Sequence, residues 1–442
     1  MVRSIRGARG TAFLAVALLF TAVSDAADEI PRMVVIEAGR VITATGDEFM
    51  PGTVVIEDGK VILVGTRLEY PKSAEVIDAR RETVMPGLTL TQTRFQLPNY
   101  RRSGSRAAQL ASSEVFPSEI DWDALISRGF LYAAFAPVGR GIPGQASLYR
   151  TVGKDGPELI DDSAYVRVGF TNPSAEKREL SRTLGNAKKA IEARDKARAD
   201  WEKAQAEAKK KAEEAAKKKA AESKEGDGKS KSGDKEKGGK KDDAKPAEFK
   251  PPRMDPNLAP FVDLLDGKEE PLLTFELRNA SGLVHLEDVL EDYDKIDGAL
   301  FLSSGIYNDF PEVLDRLGDR EALTVLAPTI ARRPHTVNLF NLAKDLVEAG
   351  CELAFRPSSD NTGGYDRYLG QVGNLVREGL ERDTAISAVT LGPAKVVGID
   401  GETGTIETDK RADLIFLSGD PLRTGTKVTR AMVAGEIVWE DE

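Results

Sequence analysis

Side chains that could hold a metal or act as a nucleophile are scarce: 442 residues contain two histidines and one cysteine. Zinc sites draw on histidine and cysteine ligands, three or four at a time, so this inventory excludes a histidine-rich zinc centre. His285 lies in GLVHLEDVL, which reads as a surface helix, and His335 lies in ARRPHTVN, after a strand. Each reads as a solvated or locally hydrogen-bonded imidazole. Cys351 follows Gly350 at the head of an apolar run and reads as a buried, inert thiol. A lone cysteine forms no internal disulfide. The string GDGKS superficially resembles a phosphate loop, but it lacks the first glycine at the required spacing and any preceding strand. What remains for chemistry is carboxylate, hydroxyl and guanidinium groups.

The elements that must position them fall into two textures. MVVIEAGRVIT, TVVIEDGKVILVG and AEVIDA, within residues 33–85, alternate apolar and polar residues, with Asp58-Gly59 as a hairpin turn. Residues 405–442 repeat that texture. Each end alone is a marginal sheet, and together they are expected to make one small β-sandwich (27–85 with 405–442). Between them, strands are expected at 88–95, 130–137, 146–152, 165–171, 272–277, 298–303, 323–328 and 352–356. Helical stretches such as 338–349 and 366–381 separate several of them. Such a succession implies a parallel sheet with right-handed crossovers. Eight strands are compatible with an α/β fold of the TIM-like (β/α)8 barrel type over residues 86–404. An open doubly wound sheet stays as the alternative, although no G-x-G-x-x-G turn supports it.

The chain carries 62 basic and 72 acidic residues, a net charge of −10. Residues 196–250 hold 18 of the basic and 13 of the acidic ones. An acidic body with a mildly basic appendage argues against nucleic-acid binding, which requires one concentrated basic face. Residues 1–26 read as a signal peptide: Arg3, Arg6 and Arg9 precede an apolar run over 11–23, and Ser24-Asp25-Ala26 offers a cleavage site. Export to the periplasm or the extracellular space is therefore expected, with no membrane span in the mature chain. Residues 178–250 read as an insertion. Its first part is an Ala/Lys/Glu-rich solvated helical arm, with a coiled-coil partner role as a weaker reading. From Glu222 onward it has almost no apolar residue and is expected to be disordered.

Several stretches resemble the amidohydrolase superfamily, closest to imidazolonepropionase-like members. They are VVIEDGKVILVG with VIDARRETVMPGL, then TAISAVTLGPAKVVGI, then GTIETDKRADLIFLSGDPL with VTRAMVAGEIVWE, in family order. RGIPGQASLYRTVG is similar to a loop of some members. The resemblance implies a TIM-like barrel plus a β-sandwich of both termini. It also implies one or two divalent metals at the strand tips. Their ligands would be two histidines on the first strand, one each on the fifth and sixth, and an aspartate on the eighth. Here PGLTLTQTR places Gln92 and Arg94 at the first-strand positions. The fifth-strand position falls on Glu276, the sixth near Ser303 or Ser304, and the eighth near Ser358, with Asp360 two residues later.

The metal-binding histidines are thus missing. A guanidinium about 5 Å from a dication would cost roughly 6–7 kcal/mol at an effective dielectric of 20. An Arg94–Glu276 pair filling the vacated pocket is the simplest expectation, since buried charges need partners. Two functions follow. In the first, the protein is a catalytically degenerate amidohydrolase, a pseudoenzyme that needs no cofactor and binds a small molecule or a protein partner. In the second, it is an active hydrolase of non-peptide carbon–nitrogen bonds or of a lactone. Asp360 or Glu276 would then be general base, with Arg94 stabilising an oxyanion. A divalent metal belongs only to the second. The helical arm leaves room for an oligomer.

Overall fold

The N-terminal strands are β1 (Met33–Ile42), β2 (Gly52–Glu57), β3 (Lys60–Gly65) and β4 (Glu75–Pro86). A computed structural model of the chain describes residues 32–98, 104–153, 156–222, 248–268, 271–303 and 308–441. Asp58 and Gly59, at φ 49° and 79°, form the tight turn that joins β2 to β3. Two residues at positive φ match the right-handed twist of the flanking strands.

After Gly87 the chain enters a second sheet: β5 (Leu88–Thr93), β6 (Phe130–Phe135), β7 (Gly144–Gly153), β8 (Gly156–Phe170), β9 (Leu272–Leu277), β10 (Ala299–Leu302), β11 (Leu323–Leu326) and β12 (Glu352–Phe355). All eight expected strands occur here, side by side in chain order. Gly87 is required by crowding, because a Cβ there would stand 2.4 Å from Leu131 Cδ1. The sheet departs from a (β/α)8 pattern in one unit. β7 runs antiparallel to both β6 and β8, so a meander replaces two helical crossovers. All other neighbours are parallel. Among the described residues β5 and β12 share no backbone ladder; the curled sheet is laced shut by side chains.

Helices cover its outer face: α1 (Pro173–Glu222), α2 (Ala259–Leu265), α3 (Ala280–Leu290), α4 (Leu342–Glu348), α5 (Thr362–Arg377), α6 (Arg382–Val389) and α7 (Leu391–Val396). The expected arm over 178–250 is corrected at its start. Leu180, Leu184 and Ala187 of α1 are fully buried against the barrel, so its first turns belong to the covering layer. Only its later turns run into solvent, where Trp201 meets Phe249 at 5.9 Å. Residues 223–247 and the expected signal peptide lie outside the described residues. Among the described residues no helix is long and apolar enough to cross a membrane.

The C-terminal strands β13 (Leu414–Leu417), β14 (Val428–Val433) and β15 (Glu436–Glu440) return to the first sheet. Its order is β15-β14-β13-β4-β1-β2-β3, so both chain ends build one continuous sheet. Its own apolar cluster joins Val34, Ile36 and Val54 to Leu414, Phe416 and Met432. The junction with the barrel is polar. Asp413, 1% exposed, accepts from the Tyr132 hydroxyl (2.5 Å), Arg411 Nε (3.1 Å) and the Ala434 amide (2.8 Å).

Candidate functional site

The inner face of the barrel can be read from register, because laterally paired residues of parallel strands share a face. The Tyr165 hydroxyl of β8 donates across the barrel to the Thr91 carbonyl of β5 at 2.7 Å, which marks the Tyr165 face as interior. Arg167 lies two residues on and pairs laterally with Thr274; Glu276 pairs with Gly169 and Phe301. Phe301 continues to Val325, and Val325 to Ala354. Ser303 and Arg356, two residues beyond Phe301 and Ala354, carry the same face to the strand tips. The mouth of the barrel is therefore lined by charged and hydroxyl groups above an apolar floor.

Three clusters stand there. Arg94, 11% exposed, donates to Glu114 Oε2 at 3.0 Å, to the Ala136 carbonyl at 3.0 Å and to the Pro98 carbonyl. Arg167 donates to the Pro137 carbonyl at 2.9 Å and forms an ion pair with Glu276. Asp360 accepts from Thr93 Oγ1 (2.7 Å), from the Arg94 amide (2.6 Å) and from the Tyr365 hydroxyl. Burial, followed by the Asp360 charge, pushes the Tyr365 hydroxyl far above its ordinary value, so it stays a donor. The expected Arg94–Glu276 pair is thus corrected: each has a carboxylate or guanidinium partner, but a different one. The cause is register, since Arg167 stands on the strand next to Glu276 while Arg94 turns toward the Ala111–Glu114 turn.

Asp360, Glu276, Arg94 and Ser303 are all brought to the strand tips. Gln92 is half-buried near the end of β5, one residue before Thr93. Ser358 is drawn aside, its hydroxyl donating to Gln371 of α5 at 3.0 Å. Ser304 lies outside the described residues. His285 sits on α3 and His335 in an exposed turn. Burial pushes the Cys351 thiol up to about 11, as suits an inert sulfur.

Two residues absent from the sequence reading matter most: Arg167 and Arg356. Their signal was a basic residue inside an apolar strand (YVRVGF) and one directly after another (ELAFRP). The Arg356 guanidinium lies 5.9 Å from the centre of the Phe301 ring. Burial lowers its pKa below the ordinary value; Glu276 opposes that shift, and Arg167 adds to it.

Comparison with known proteins bears on this arrangement. A family model described as "Amidohydrolase family" matches residues 359–439. The amidohydrolase from Thermotoga maritima MSB8 superposes with a TM-score of 0.63 at 18% identity, covering 92% of this chain and 100% of that one. The chain belongs to the amidohydrolase superfamily. The fold is accordingly a TIM-like barrel of the amidohydrolase kind. A prolidase solved with N-methylphosphonate-L-proline superposes at a TM-score of 0.52 and 14% identity, covering 92% of this chain and 100% of that one. The dihydroorotase of Anaeromyxobacter dehalogenans strain 2CP-C is 42% identical over 78 residues, 16% of this chain and 18% of that protein. The 5'-deoxyadenosine deaminase of Methanosarcina mazei is 32% identical over 122 residues, 26% and 28% of the two chains. The amidohydrolase chain described here thus matches less than a third of the length of these curated relatives.

A divalent metal, which membership of the amidohydrolase superfamily implies, does not fit these side chains. Glu276 is engaged by Arg167, and the Asp360 oxygens take three donors. The donors at the tips include guanidiniums that would repel a cation. Among the described residues no three of His, Cys, Asp and Glu converge as ligands.

Proposed function

We propose that this amidohydrolase-fold protein binds a small molecule at the barrel mouth and does not hydrolyse it. The observation that carries this reading is the pairing of Arg94 with Glu114 and Arg167 with Glu276 where the family's metal chemistry would sit. A guanidinium–carboxylate pair is electrically satisfied, so it neither lowers the pKa of a water nor accepts its proton. Such pairs hold shape and charge, which suits a receptor pocket. The sequence of residues 1–26 supports action after export, and the composite sheet of both chain ends supports a sandwich-like cap beside the barrel.

A second reading rests on Asp360. Its carboxylate is exposed and held by three donors, as a general base would be, and the names of the curated relatives point to carbon–nitrogen bonds. Arg94 would contribute little as an oxyanion donor, because its terminal nitrogens are already committed to Glu114, Ala136 and Pro98. Metal analysis of the purified protein, with a screen of amides, cyclic imides and lactones with and without zinc, manganese or iron, decides between them. Substoichiometric metal and no turnover are expected. A stoichiometric metal, with turnover lost in Asp360→Asn, would replace the binding reading by the hydrolytic one.

A further inference from the structure

Most charges at the barrel mouth have partners; the Arg356 side chain has neither a hydrogen bond nor an ion pair among the described residues. Its Nε is sealed from solvent with no hydrogen-bond acceptor. Its backbone amide bonds the Leu326 carbonyl, yet no hydrogen-bond acceptor is found for the side chain, which lies by the Phe301 ring and feels the Glu276 and Asp360 charges only at longer range. A guanidinium stays protonated under all ordinary conditions, so it cannot escape burial by losing its proton. The residue is half-buried, so its terminal nitrogens face the cavity beside it, and a charge held there without an ion-pair partner is stabilised by whatever acceptor enters.

The surroundings indicate what could. Arg356 borders a cavity of about 240 Å³, with Thr171, Glu276, Arg278 and Ser303 as its other polar walls. Ser303 offers a hydroxyl donor, the Thr171 hydroxyl is given to Glu176 Oε1 at 3.2 Å, and Arg278, exposed at the rim, adds a second positive charge. Glu276 is already held by Arg167, which leaves the wall with a surplus of positive charge. The surplus is modest, and the Glu276 carboxylate would repel a dianion more than a monoanion. A planar fork of guanidinium N–H groups matches the two oxygens of a carboxylate. A larger cavity of about 640 Å³ beside α5 and the C-terminal strands has no comparable feature, since its Arg128 is paired with Asp366 at 2.7 Å and its Arg367, Arg423 and Lys427 are exposed.

We infer that the pocket walled by Arg356, Arg278, Ser303 and Thr171 takes the carboxylate group of a small organic monoanion, with Arg356 as its principal anchor. This deepens the binding reading by naming the ligand class of the same barrel mouth.

The test is binding of acetate, lactate and benzoate to the full chain, followed by calorimetry and thermal shift, with acetamide and inorganic phosphate as the neutral and multiply charged comparisons. At least one carboxylate should bind in the millimolar range or tighter, and acetamide should not. Arg356→Gln should weaken that carboxylate by about tenfold or more, the loss expected of a charge-assisted hydrogen bond. Glu276→Gln, which removes the like charge, should tighten it. Circular dichroism shows whether each variant is folded, and the opposite directions expected of the two keep the result decisive even if one is not. Carboxylates that fail to bind, or that bind Arg356→Gln unchanged, overturn the assignment. Protection by acetamide in place of carboxylates would do so too, while leaving the binding reading in place. Metal-dependent turnover would remove the binding reading without altering the carboxylate result.

Discussion

The two ends of the barrel handle buried charge differently. At the junction with the terminal sheet every charged group has an ion-pair or hydrogen-bond partner: Asp413 takes three donors, and Arg40, Arg382, Glu48 and Asp420 form a closed ring of ion pairs. At the mouth the pairing is nearly complete but leaves Arg356 over. Saturated networks fix one geometry and leave nothing for a ligand to add. A leftover charge is poor structural design and a good anchor, so the difference separates a structural end from a binding end.

The sharpest way to break that contrast is at Asp413. Asp413→Ala strips Tyr132, Arg411 and the Ala434 amide of their acceptor at a fully buried site, and should cost about 3–5 kcal/mol in chemical denaturation. A loss below about 1 kcal/mol would show that the junction is not the rigid end. Arg356→Met should move the other way. Removing a half-buried guanidinium that has no ion-pair partner while keeping the aliphatic volume should raise stability of the ligand-free protein by about 1 kcal/mol. Equal destabilisation at the two sites would erase the distinction. The smallest expected effect is a pH dependence at Asp420. Burial alone would raise its pKa, but the Leu422 amide and the Arg382 and Arg40 guanidiniums outweigh it and hold the carboxyl below its ordinary value. A depressed folded pKa contributes stability that is present above about pH 4 and is lost as pH falls through the folded value. Asp420→Asn should therefore flatten the acid limb of a melting-temperature profile. An unchanged limb would place the acid-sensitive charges elsewhere.

Much of the fold was legible because apolar β-branched runs bounded by turns mark strands whatever their direction. Direction was less legible. β7 and β8 are joined without a helical stretch, and a chain that turns back within a few residues must pair antiparallel, so that unit departs from the barrel pattern. The helix after β8 was misjudged at its start because alanine-rich text hides which turns touch a core; only Leu180 and Leu184 announced it. That the chain holds only two histidines was plain from inventory, whereas the pairing at the site was not. Arg94 and Glu276 each needed an opposite charge, but which one depends on lateral register and on Glu114, in a short turn with no periodic signal. Arg356 was the hardest to see, since a lone arginine after a strand has no pattern until its neighbours are known.

The terminal sheet also constrains synthesis. β4 is flanked by β1 on one side and by β13 on the other, where Thr83 meets Leu417. Until the ribosome has made more than three hundred further residues, that flank of β4 is a bare template for any passing extended chain. Completion waits on contacts of very long sequence separation, which slow folding. That bare flank is therefore where mispairing of the nascent chain is most favoured.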